Sequence, residues 1–388
     1  MFKKVKFNNL NILVFTFLFS IALPSNFHKC IWVKSDSMKD KESIQSALIF
    51  AYEYGFDMVF LQVRYRGDAF YESDIVSKHS SVDKKFDPLK YAINLGHSLG
   101  LEVHAWLNTY ILWSSSYEPY DLDHLYYTHS DWMESNIYGK SDANIDIKLP
   151  QSHNWEGIYL SPNHPDVNKY LKTIFFELIE SYDIDGLHLD YIRFQDDIYG
   201  YNDKGRERFK NEHGFDPFDI ERNIISTKYG WSYSEIDSMK NIWENYKMEN
   251  VNYLIHEISS NIDSLDKKIK LSAAVKADPV ISKRKWAQDW ESWINQEIID
   301  FVVVMNYSPD MINFNHNIES IKLQFDKNKF NKIMMGIAIY NQDFSSVSDK
   351  VYLSYLYNFK GISLFSYDNK KNDLNWFDNM LDIFEIID

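Results

Sequence analysis

Cysteine is nearly missing from this chain of 388 residues, and the one that exists, Cys30, can form no intramolecular disulfide. We read it as a buried strand residue. Excess positive charge is missing too: the formal net charge is -15 and no basic stripe crosses the body of the chain. Nucleic-acid binders cluster Lys and Arg to displace counterions, so a phosphate-backbone partner is excluded. No HExxH occurs, and no GxxxxGK[ST], GxGxxG or GxSxG. Zinc proteolysis, phosphoryl transfer on a P-loop, dinucleotide binding and serine hydrolysis therefore lack their usual signatures, and no metal or other cofactor is expected. Internal repeats and low-complexity linkers are also missing, which leaves a second domain without support.

What is present begins with a leader pattern. Lys3, Lys4 and Lys6 precede the apolar run Asn11 to Leu23, then Pro24. The run is short for a membrane span, so residues 1–27 are expected to be a signal peptide, with an uncleaved N-terminal anchor as the alternative and the only membrane contact. Export to the periplasm or the exterior follows from either. Residues 28–388 are then a single domain, and 45% hydrophobic residues are ample for its core. Aromatic residues make up 16% of the chain; most are expected to fill the core, while others can stack on sugar faces.

Short apolar runs alternate with amphipathic helices from end to end. Strands are expected over residues 29–35, 58–65, 102–110, 186–194, 268–278, 300–308, 332–340 and 361–368. Eight such units close a (β/α)8 TIM barrel. Asp87-Pro88 opens one intervening helix with a cap and a first-turn proline, and Gly100 stops it. Two connections are longer than barrel loops need, Ile111 to Pro162 after the third strand and Gln195 to about Met239 after the fourth. Both lie on the side where barrel enzymes bind substrate, and their many Trp and Tyr suit a substrate groove.

Alternation along each strand selects the side chains that face the barrel interior. It selects Gln62 and Arg64 on the second strand, His104, Trp106 and Asn108 on the third, His188 and Asp190 on the fourth, and Ser272, Ala274, Lys276 and Asp278 on the fifth. Asn306 is selected on the sixth and Tyr340 at the end of the seventh. A polar inward side chain is tolerated chiefly near the C-terminal mouth, where a catalytic Asp belongs. A loop-capping role for Asp190, ion pairing for Arg64 and Lys276 with nearby acids, and plain core packing for Trp106 are the competing accounts.

Seven segments, in order, carry a resemblance: Cys30-Ile-Trp-Val33; Leu61-Gln-Val-Arg-Tyr-Arg-Gly-Asp-Ala-Phe-Tyr71; Val103-His-Ala-Trp-Leu-Asn108; Tyr159-Leu-Ser-Pro162 with His164-Pro165; Asp185-Gly-Leu-His-Leu-Asp-Tyr-Ile-Arg193; Gln288-Asp-Trp290 with Asp300-Phe-Val302; and Met305-Asn-Tyr307. Together they resemble the glycosyl-hydrolase-like family 10 proteins over nearly the whole mature chain. The chain departs from the family at Phe194-Gln195, where Tyr-Pro is frequent, and at Lys29-Cys30, where Arg-Gly is usual. The resemblance implies an exported TIM-barrel hydrolase acting on glycosidic bonds of a polysaccharide or oligosaccharide, with peptidoglycan glycan strands and external polysaccharides both suitable.

In related barrel glycosidases a strand-four Asp is commonly the nucleophile, and Asp190 fits that position. Glycoside hydrolysis needs a second carboxyl. Asp278, ending the fifth strand, is expected to be the general acid, with Asp368 in reserve. His188 and Arg193 are expected to orient Asp190 and keep it ionised, while Gln62, Arg64, Trp106, Asn108, Asn306 and Tyr340 bind sugar. Two readings compete with hydrolysis: a non-catalytic carbohydrate-binding barrel, and a deacetylase, which would need a metal cluster that the sequence does not offer.

Overall fold

The structure, a computed structural model, describes residues 27–149, 151, 155–222 and 228–387. The leader expected over residues 1–27 lies outside the described residues except for Phe27. Eight parallel strands form a closed barrel: β1 (His28–Val33), β2 (Met58–Tyr65), β3 (Glu102–Asn108), β4 (Gly186–Asp190), β5 (Lys270–Lys276), β6 (Phe301–Met305), β7 (Ile333–Ala338) and β8 (Gly361–Phe365). Closure comes from β1, which pairs with β2 on one side (Cys30 beside Met58) and with β8 on the other (His28 beside Gly361). This is the TIM barrel that the alternation of strand and helix predicts.

Each strand divides its residues by parity. Outward residues such as Val59, Leu61, Val103, Leu187, Leu189 and Val275 join the large shell under the helices. Inward residues form a separate cluster of Cys30, Trp32, Met58, Phe60, Trp106, Phe301, Val303 and Met334 that fills the barrel. A fully buried side chain of this size stabilises by about 1.5–3 kcal/mol. Cys30 is buried in this inner cluster, as expected.

Helices start where the sequence punctuates them. Asp87 accepts a hydrogen bond from the Lys90 N–H at 3.0 Å and Pro88 opens the helix Pro88–Ser98, which buries Leu89, Ala92, Ile93 and Gly96. The same chemistry ends a strand early elsewhere. Asp278 caps the helix Pro279–Trp286 by accepting from the Ile281 N–H at 2.8 Å, so β5 stops at Lys276 instead of reaching residue 278.

The connections after β3 and β4 carry structure of their own. Ile111–Trp113 pairs antiparallel with Ile158–Tyr159, bringing a distant piece of chain back to the end of β3. Gly157 permits this, since a Cβ there would stand 2.5 Å from the Trp113 carbonyl oxygen. Tyr201 and Ile137 donate backbone hydrogen bonds to Ser135 and Ile198, so the two connections also hold each other.

Candidate active site

Asp190 is the last residue of β4, and Tyr191 after it adopts a left-handed backbone with φ 52°. That reversal ends the strand four residues short of the expected Phe194 and turns the Tyr191 ring toward the mouth, although strict alternation would have sent it outward. The mouth holds a cavity of about 570 Å³ whose lining includes Asp190, Tyr191, Arg193, Lys276 and Glu156.

Asp190 is 8% exposed. Its Oδ2 accepts from the Trp106 indole N–H at 3.1 Å and its Oδ1 from the Tyr191 backbone N–H at 2.7 Å. Burial pushes its carboxyl up to about 6, against the pull of the Tyr191 N–H, the Arg193 charge and Trp106. Glu156 has the opposite environment. Burial raises it, but Arg193 and Lys276 outweigh burial and leave its carboxyl below the ordinary range. The Arg193 guanidinium donates to Glu156 Oε2 at 2.7 Å, the Tyr159 hydroxyl donates to the same oxygen at 2.6 Å, and Lys276 Nζ stands 3.5 Å from Oε1. Burial first, then Arg193, lowers the Lys276 ammonium to about 8. One carboxyl is thus pushed toward the neutral form and its neighbour toward the charged form across the same cleft.

Glu156 is the residue that sequence reasoning missed. It lies in the long connection after β3, where no period fixes a direction, and it reaches the mouth only because Gly157 and the strand Ile158–Tyr159 fold back. The nearest signal was its place just before Tyr159-Leu-Ser-Pro162. Trp32, Tyr307 and Phe365 also line the cavity, and the indole of Trp32 meets the rings of Tyr307 and Phe365 edge-on at 6.3 and 5.6 Å.

Gln62, Trp106, Asn108 and Arg193 also line the cavity. Gln62 spans two strands, accepting from the Ser35 N–H at 3.1 Å and donating to Asn108 Oδ1 at 3.2 Å. Arg193 orients Glu156 instead of Asp190, on which it acts only through its charge.

Five expected residues are elsewhere. Asp278 caps its helix and accepts from the Ser320 hydroxyl at 2.7 Å, away from the cavity lining. The reserve, Asp368, is taken up by the Lys34 N–H and the Ser37 hydroxyl, both at 2.6 Å. Arg64 leaves the interior because a bulge between Gln62 and Arg64 shifts its pairing to Leu107, an outward residue. There it donates to the carbonyl oxygens of Asn108 and Thr109. On β6 the parity is the reverse of the expected one: Met305 and Tyr307 line the cavity, while Asn306 donates to the Phe314 carbonyl at 2.9 Å and accepts from Asn317 at 2.8 Å. Tyr340 lies past the end of β7 and is 52% exposed.

His188 does face inward but sits below Asp190, on the floor of the barrel. Its Nε2 accepts from the Trp32 indole at 3.3 Å, its Nδ1 bonds the Ser272 hydroxyl at 2.9 Å, and its ring stacks on Phe60 at 4.2 Å. Burial, with His104 adding to it, holds His188 well below its usual range and therefore neutral, so it supplies no charge to Asp190. His104 is the buried interior residue expected of it, and Gly186 beside it is required, since a Cβ there would fall 2.2 Å from the His104 ring. Among the described residues no group of three or more His, Cys, Asp or Glu is placed to hold a metal ion.

A family model described as glycosyl hydrolase-like 10 matches residues 21–354. Among curated proteins the chain is similar to the glycosyl hydrolase YngK of Bacillus subtilis, 23% identical over 76% of this chain and 58% of that protein. It is similar also to the glycosyl hydrolase DigH of Escherichia coli strain K12, 22% identical over 66% of this chain and 55% of that protein. The chain thus spans little more than half the length of these relatives. Among solved structures, the PgaB (BpsB) glycoside hydrolase domain from Bordetella bronchiseptica superposes with a TM-score of 0.66 at 14% identity, covering 92% of this chain and 98% of that one.

Proposed function

The chain belongs to the glycosyl hydrolase-like 10 family, and from that premise we propose that it is an exported glycoside hydrolase that cleaves a polysaccharide at the mouth cavity. The observation that carries the reading is the pair of carboxyls on one cleft, Asp190 raised to about 6 and Glu156 lowered. Glycosidases divide the work in this way: a protonated acid serves the leaving oxygen, and an ionised carboxylate faces the charge that develops at the anomeric carbon. We give Asp190 the acid role, in place of the ionised role expected from its strand-four position, because its environment favours the proton. Glu156 takes the ionised role, held charged by Arg193 and Lys276.

In the reaction, the Asp190 proton passes to the glycosidic oxygen, the bond from that oxygen to the anomeric carbon breaks, water supplies the hydroxyl that ends on that carbon, and the remaining proton of that water restores the acid form of Asp190. Gln62, Asn108 and Lys276 offer hydrogen bonds to sugar hydroxyls, and the rings of Trp32, Trp106 and Tyr307 offer faces and edges for the sugar itself. The leader pattern of residues 1–27 supports export, and a polymer substrate outside the cytoplasm fits an open cleft.

The test is reducing-end release from a panel of polysaccharides, including peptidoglycan stripped of its peptides, run with the wild type, Asp190→Asn, Glu156→Gln and Asp278→Asn. Activity should collapse in the first two variants and persist in the third, and the product anomer then assigns retention or inversion. Hydrolysis that survives Asp190→Asn sinks the mechanism. A second reading has one observation behind it: both oxygens of Glu156 are engaged by Arg193, Tyr159 and Lys276, as in a purely structural ion pair. A wild type that binds a glycan of the panel and never cleaves it would make the chain a carbohydrate-binding barrel.

A further inference from the structure

The two ends of an amide side chain are alike in shape and opposite in chemistry, so its partners decide which end faces where. At the mouth a backbone group makes that choice for two amides in succession. The turn Ser35–Met38 after β1 is fastened to the helix Tyr367–Lys370 after β8, where Asp368 accepts from the Lys34 N–H and the Ser37 hydroxyl. The turn holds the Ser35 N–H 3.1 Å from Gln62 Oε1. A backbone N–H can only donate, so the oxygen of Gln62 has to face Ser35 and its Nε2 has to face Asn108. Nε2 is a donor in its turn, and Asn108 meets it with Oδ1 at 3.2 Å. Ser35, Gln62 and Asn108 are all buried, so turning either amide over would set two desolvated donors against each other.

The end of Asn108 left over is its Nδ2. Among the described residues this nitrogen has no hydrogen-bond partner, and Asn108 lines the mouth cavity. Asn108 stands beside Asp190 in the ladder of β3 and β4, yet Asp190 does not use the amide: its oxygens accept from the Trp106 indole and the Tyr191 N–H. The Trp106 N–H is thereby spent, and Arg193 is spent on Glu156. Asn108 is left as a neutral side chain beside the acid that can donate and, with Oδ1 taken, has no acceptor turned toward a ligand.

We propose that Gln62 is a positioning residue that turns the Asn108 amide with its nitrogen toward the cleft, and that Asn108 donates from there to an acceptor oxygen of the sugar unit beside Asp190. A sugar hydroxyl in that place accepts from Asn108 and turns its own proton elsewhere. The sense of the whole chain is set from the backbone, running from the Ser35 N–H through Gln62 and Asn108 to the substrate. Its effect on the substrate rests on the hydrolase reading above; the orientation of the amide does not.

Neutron diffraction from deuterium-exchanged crystals of the full chain, as wild type and as Gln62→Glu, places the amide deuterons directly. In the wild type both Nδ2 deuterons of Asn108 should lie on the cavity side. A carboxylate at position 62 still accepts from the Ser35 N–H but has no proton for Asn108, so in Gln62→Glu the Asn108 amide should turn over and present its oxygen to the cleft. Wild-type deuterons of Asn108 directed at Gln62, or an amide that keeps its orientation against an unprotonated carboxylate, overturn the proposal. On a cleaved substrate, Asn108→Ala and Gln62→Ala should each raise KM about tenfold with kcat little changed, and the double variant should raise it no further, because Gln62 acts through Asn108. Losses that multiply in the double variant overturn the relay, since a Gln62 that only bonds the sugar itself, or only supports the fold, acts independently of Asn108. The neutron measurement needs no substrate and decides the orientation even for a protein that cleaves nothing.

Discussion

The floor and the mouth of the barrel stand on the same strands, one or two residues apart, and they treat polar side chains in opposite ways. On the floor, His188 is neutral, stacked on Phe60 and bonded to Trp32 and Ser272. One alternate position further along β4, Asp190 opens on a cavity with a second carboxyl and two cations around it. Both face inward, so direction alone does not separate a structural polar residue from a reacting one. Depth does: groups without access to a ligand must satisfy each other, while groups at the mouth can keep an unresolved balance of charge.

The sharpest break of this comparison comes from exchanging one residue at each level. Asp190→Asn should lower kcat by about 10²–10⁴, the usual worth of a positioned acid, with the fold intact by circular dichroism. His188→Phe should do the reverse, leaving kcat nearly unchanged while stability falls by about 1–3 kcal/mol, because the Trp32 N–H loses its buried acceptor. Equal losses of activity in the two variants would erase the distinction.

The same contrast predicts a pH dependence. An acid that works protonated and titrates near 6 loses activity as pH rises through about 6, whereas the acidic limb, set by Glu156, should lie below the usual glutamate range. The stability sign follows from linkage. Asp190 binds its proton more tightly folded than unfolded, so the stability this adds is full below its unfolded value near 3.8 and is lost as pH rises through about 6. Asp190→Asn should therefore gain stability relative to wild type above pH 6, by up to about 3 kcal/mol in chemical denaturation.

Two smaller effects sharpen the comparison at its edges. Gln62 and Arg64 stand on one strand across a bulge; Gln62→Ala should raise KM about tenfold, while Arg64→Met, outside the barrel, should leave KM unchanged and alter only the melting temperature. Smallest is Asp278→Ala, which should cost about 1 kcal/mol of stability through a lost helix cap and leave the rate alone.

Much of this architecture was legible in the sequence, because barrel strands carry a period that survives burial. β1 to β8 coincide with the eight apolar runs, and parity correctly sends Gln62, Trp106, Asn108, Asp190 and Lys276 to the cavity. The errors have local causes. A bulge reversed Arg64, a left-handed residue redirected Tyr191, and on β6 the inward parity of Phe301 and Val303 runs on to Met305 and Tyr307, which leaves Asn306 facing away. Asp278-Pro279 carries the same cap-and-proline signature that identified the helix at Asp87-Pro88, and reading it alike would have removed Asp278 from the site. Glu156 was beyond reach of any period, since tertiary pairing alone brings it to the mouth.

The pairing of β1 with β8 also has a kinetic meaning. His28 cannot find Gly361 until the last strand exists, so the barrel stays open throughout synthesis, with the outer edges of β1 and of the newest strand waiting. Contacts between the two ends of a chain are the slowest to form, and open strand edges invite association with other chains. Under the export proposed above this delay is an advantage: nothing can lock shut before the last strand has passed through.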